Sequence, residues 1–165
     1  MRKELYNQIC ERVSTLRTTP EGDIQPFLPG DDIPEGWVPL VKHLDLWNHN
    51  VEFIEQEEAW ERPAVFIEFS PIEWDHPVKG HGDFRGHGTL LLHIVTDWQG
   101  STSAGSVFRS AGLHAFDIIE SVVREVCGLE GECFGPLVHS QSLTNHSHED
   151  LVENIESFTF KCYHP

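Results

Sequence analysis

Eleven histidines among 165 residues are the first place to look for chemistry, and the sharpest grouping is His146-Ser147-His148-Glu149-Asp150. Residues two apart on a strand share a face. Both imidazoles could therefore meet one ion, with Glu149 or Asp150 beside them, which is the donor set of a metal-dependent hydrolase. A catalytic zinc takes three protein ligands, keeps one position open and relies on outer hydrogen bonds to orient its ligands. Here His146, His148 and Glu149 crowd into a single turn, and Asn, Ser and Asp are the residues a hairpin tip is made from. The expectation is a hydrated turn with no resident metal or cofactor, and the hydrolase is kept as the rival reading.

A looser series, His76, His81, His87 and His93, contains no H-E-x-x-H signature. It reads as a polar loop plus one histidine hydrogen-bonded on a sheet. Gly100-Ser101-Thr102-Ser103-Ala104-Gly105 precedes a helical pattern and could cradle an anion. It lacks the lysine of a phosphate-binding loop, so a helix-capping role is expected. Cys10, Cys127, Cys133 and Cys162 form no C-x-x-C pair and read as reduced, mostly buried thiols. No catalytic residue is therefore expected, and the chain is not read as an enzyme.

The aromatics suggest another task. Trp37, Trp47, Trp60, Trp74 and Trp98 fall in or beside loops and strand ends rather than in helical stripes. Phe27, Trp37, Trp60 and Trp74, set among Gly, Pro and acids, are candidate interface anchors, a role in which tryptophan is enriched.

These residues must be held by a small set of elements. Leu5, Ile9, Val13 and Leu16 recur at spacings that predict an amphipathic helix over 3–17. From Thr18 to Pro39 five prolines rule out a helix or a central strand. Ile24, Phe27, Leu28, Ile33 and Trp37 make this an extended arm that packs on something. Strands are expected at 41–47, 51–54, 63–69 and 87–97, with a polar tongue over 70–86. The last of these strands is apolar on both faces and should be central. A helix is expected over 106–127, its buried stripe running through Phe108, Ala111, Ala115, Ile118, Val122 and Val126. Strands 137–144 and 152–162 close the chain around the turn 145–150. The order α-β-β-β-β-α-β-β predicts one α+β domain over 1–165, a mostly antiparallel sheet of five to six strands with both helices on one face.

Charge limits the partners. Eleven Lys and Arg against 27 Asp and Glu give a net charge of −16. Nucleic-acid and anionic-membrane binding both draw on clustered cations, so neither is expected. No stretch approaches the ~20 apolar residues of a membrane span. Met1-Arg2-Lys3-Glu4-Leu5 opens no secretory signal, so a cytoplasmic protein is expected.

Three segments, Asp45-Leu46-Trp47-Asn48, Pro63-Ala64-Val65-Phe66-Ile67-Glu68-Phe69 and Leu92-His93-Ile94-Val95-Thr96-Asp97, resemble the tail-terminator (tail-completion) proteins of long-tailed phages and prophages. The closing hairpin, Thr144-Asn145-His146-Ser147-His148 leading into Phe158-Thr159-Phe160, is similar as well. The likeness runs from Leu5 to Phe160 in element order, and the proline-rich arm departs from it. It implies a ring, commonly of six copies, that caps the tail tube and joins it to the head connector while DNA passes through unbound. It implies no catalytic residues, and a place in the host cytoplasm during assembly and in the virion afterwards. A neck protein of the head–tail junction shares nearly every one of these features.

Overall fold

The computed structural model of the chain describes residues 1–49, 60–75, 84–145, 147 and 150–164. Helix α1 (Arg2–Val13) buries Leu5, Ile9 and Val13, the stripe its spacing predicts. It ends earlier than expected. The Thr15 side chain and N–H both bond the Arg12 carbonyl, at 2.8 and 3.1 Å, closing the last turn. Leu16 then stays buried by entering a strand instead.

That strand, β1 (Leu16–Thr18), is the centre of a three-stranded antiparallel sheet with β2 (Ile24–Pro26) and β3 (Val38–Pro39). The arm is thus not a plain extended segment. Its prolines obey the rule that excluded a central strand: Pro26 and Pro39 both lie on edges, where a missing N–H costs no ladder bond.

The main sheet runs β4 (His43–Leu46), β5 (Ala64–Phe69), β7 (Phe84–Asp97), β9 (Leu151–His164), β8 (Val138–Asn145), and short β6 (Glu73–Trp74) pairs with β7. The fold is α+β, with six strands and β7 central as its two apolar faces require. One pairing departs from expectation, since β4 and β5 are parallel, Leu44 opposite Val65 and Leu46 opposite Ile67. A parallel pair needs a crossover of about a dozen residues or more, and the stretch from Leu46 to Ala64 is long enough to provide one. The strand expected at 51–54 lies outside the described residues.

Helix α2 (Arg109–Val126) packs with α1 on one face of this sheet, burying Ile118, Ile119, Val122 and Val126 against Val65, Ile67, Leu90, Leu92, Ile94 and Phe158. Gly128 follows it with φ +83°, the left-handed stop a glycine takes at low cost. Its start differs from expectation. Phe108 is the N-cap and 56% exposed, and Ala111 is exposed as well. The apolar period continues toward the N-terminus, but the core beneath it does not.

Candidate functional site

The pleat of β9 decides where its polar groups go. Glu153 faces outward with His93, while Asn154 and Glu156 face the helices beside Ile94 and Leu92. Both glutamates are 2% exposed, so each must find hydrogen-bond donors inside the protein.

On the outer face His93 bridges two carboxylates. Its Nδ1 lies 2.7 Å from Glu153 Oε1 and its Nε2 lies 2.9 Å from Glu68 Oε2. Trp47 lies flat over the imidazole, centroids 3.7 Å apart and planes within 3°. Asn145 Nδ2 donates to Glu153 Oε2 at 2.6 Å. Both ring nitrogens of His93 are thus engaged by carboxyl groups while its face is covered by the indole. Trp47 and Trp60 extend the cover over Ala64, Phe66, Val95 and Leu151.

On the helix face Glu156 accepts from Ser142 Oγ at 2.5 Å and meets His139 Nε2 at 2.5 Å. Asn154 Nδ2 bonds its other oxygen, and Thr144 Oγ1 donates to Asn154 Oδ1 at 2.8 Å. Ser142, His139 and Glu156 are the residue types of a hydrolytic triad, but their geometry differs from one. A triad sets the carboxylate on Nδ1 and the serine on Nε2. Here serine and carboxylate share Nε2, and the Ser142 hydroxyl donates to Glu156. The arrangement gives the buried Glu156 side chain its hydrogen-bond partners.

Of the residues singled out in the sequence, His146, His148 and Glu149 lie outside the described residues, as do His76 and His81. Among the described residues no group of three His, Cys, Asp or Glu could hold a metal. His87 shares the outer face with His93 but is exposed and six residues along the strand, so the two form no joint site. The serine-rich loop serves the helix start: Ser106 Oγ accepts from the Phe108 N–H at 3.1 Å. Phe27 and Trp37 pack edge to face at 5.2 Å, and Trp60 packs on Phe66 at 5.0 Å with Arg62 over its ring. Trp74 is exposed on β6. Of the thiols, Cys162 is buried and Cys127 exposed, with Cys10 and Cys133 between.

The residues that sequence reading missed are Glu68, His139, Ser142, Glu153 and Glu156. Their signal was present. Two acids three apart in an apolar strand point to opposite faces, and when both faces are covered both need partners.

Apolar surface also remains outside the core. Val107 (88% exposed), Phe108, Leu113 and Phe116 surround the first half of α2, and Trp98 is exposed at the end of β7. No helix among the described residues is long and apolar enough to cross a membrane. No family model matches the sequence, and no curated protein matches it. Among solved structures the chain is similar to one described as "Virion of native gene transfer agent (GTA) particle", at 8% identity and a TM-score of 0.45, over 74% of this chain and 79% of that one.

Proposed function

We propose that the chain is a structural subunit of a phage or prophage tail, a terminator whose copies form a ring on the tail tube and join it to the head connector. The observation that carries this reading is the apolar surface around the start of α2, left outside a core that is already closed. Val107, Phe108 and Phe116 stay largely exposed among the described residues, and exposed apolar patches of this kind mark surfaces that meet other proteins. The strand histidines support the same reading, because both buried His93 and partly exposed His139 are engaged by carboxylates. The sequence resemblance supplies the identity of the neighbours. A net charge of −16 suits a channel that DNA crosses without sticking, since such a surface offers few cations to phosphate.

Native mass spectrometry and electron microscopy of the purified protein, across a wide concentration range and with isolated tail tubes added, test the proposal. The expected result is a closed ring, six copies by the family resemblance, with an acidic lumen. Monomer under every condition, tubes included, overturns it.

A further inference from the structure

Residues 28–36 form a shaped knob. The Phe27–Trp37 ring pair closes its base, and every residue from Leu28 to Gly36 is exposed. Within it the Leu28 N–H donates to Asp31 Oδ2 at 2.7 Å and the Asp31 N–H to the Leu28 carbonyl at 3.0 Å. Gly30 takes φ +99° to make the turn. The knob shows Leu28 and Ile33 beside Asp31, Asp32 and Glu35, and no lysine or arginine occurs from Thr18 to Val41.

The opposite end of the molecule carries a groove of complementary character. Arg85 and His87 on β7 stand in register with Tyr163 and Lys161 on β9, all four exposed, and Val138 forms an apolar rim. Glu73 and Asp75 share this wall. Even so, among the described residues neither Arg85 nor Lys161 has a carboxylate within 4.0 Å.

Knob and groove lie at different places on one copy: the arm's turn at Gly22 sits with Thr96, Asp97 and His114 at the C-terminal end of β7, whereas His87 is ten residues back along that strand, about 33 Å at the usual rise.

We infer that the 28–36 knob of one copy seats in the Arg85–Lys161 groove of the next, Asp31 and Asp32 toward the cations and Leu28 and Ile33 toward Val138 and Tyr163. The contact joins two different surfaces, so it is head to tail, the kind of contact that makes a ring where its rotation closes. It rests on the ring reading above and names the partner surfaces of that ring.

Charge reversal in the full chain tests it, with assembly followed by sedimentation and native mass spectrometry. Asp31→Lys with Asp32→Lys in one chain, and Arg85→Glu with Lys161→Glu in another, should each weaken assembly by about tenfold or more. An equimolar mixture of the two chains should restore rings in which they alternate, an outcome that misfolded chains cannot produce. Assembly of the unaltered chain should weaken on raising salt from about 0.05 to 0.5 M. Rings that form normally from either reversed chain, no restoration on mixing, or assembly that strengthens with salt, overturn the knob-and-groove contact while the ring itself stands. A chain that is monomeric throughout, with and without tail tubes, overturns both.

Discussion

Glu153 and Glu156 lie three residues apart on β9, and the pleat sends them to opposite faces of the same sheet. Each sits in a part of the fold that excludes water, and each meets a histidine. The outer-face site concentrates its compensation in one side chain. His93 touches both Glu153 and Glu68 and lies beneath Trp47. The helix-face site spreads it, because Ser142, Asn154 and His139 all reach Glu156. Distributed donors tolerate a loss that a single bridging side chain does not. The outer cluster also fastens the β4 end of the sheet to β7 and β9, whereas the inner one fastens only the β8–β9 hairpin.

The largest expected effect tests this difference directly. His93→Ala removes the ring between two carboxyl groups and the platform beneath Trp47. It should cost about 3–5 kcal/mol in urea unfolding, the range for leaving a buried polar partner uncompensated. A loss below about 1 kcal/mol would show that the bridge contributes little, and the contrast between the two faces would collapse.

His139→Ala should cost less, about 1 kcal/mol, because Ser142 and Asn154 still donate to Glu156 and the imidazole is partly exposed at the rim. Equal losses for the two histidine variants, measured by the same urea titration, would break the comparison.

How far the sequence foretold these sites depends on which physical signal was available. The two-sided apolar pattern of Leu90–Val95 made β7 central, and the α1 stripe was legible from its spacing. The end of α1 was not, because it turns on the Thr15 hydroxyl taking a helical carbonyl. The parallel β4–β5 pair was not legible either, since strand direction depends on where the crossover runs rather than on local periodicity. Phe108 misled for a related reason: its helical phase is right, yet no helix or strand among the described residues buries it. The densest histidine grouping in the sequence is the turn at 146–150. The histidines that the structure places in buried networks, His93 and His139, stand singly in strands and meet partners 60 and 17 residues away.

The smallest effect sharpens the comparison through pH. Three groups on the helix face share one perturbation. Burial, then the neighbouring Cys10, pushes Tyr6 from its ordinary 10.0 to about 12, and burial likewise raises Cys10 and Cys162 above 9.0. Each group is neutral below its ordinary value in both states, so its burial is fully compatible with folding there. As pH rises past 9 and then 10, the unfolded chain releases these protons while the folded chain still holds them. Stability therefore falls through this window, and the fall persists until folded Tyr6 ionises near 12. The slope belongs to one face only. Tyr6→Phe and Cys162→Ala should flatten the alkaline limb of a stability–pH curve measured by urea titration. His93→Ala should lower the whole curve and leave that slope as it is. If His93→Ala flattened the limb as well, the two faces would be coupled through β7, and the separate accounts of Glu153 and Glu156 would have to become one.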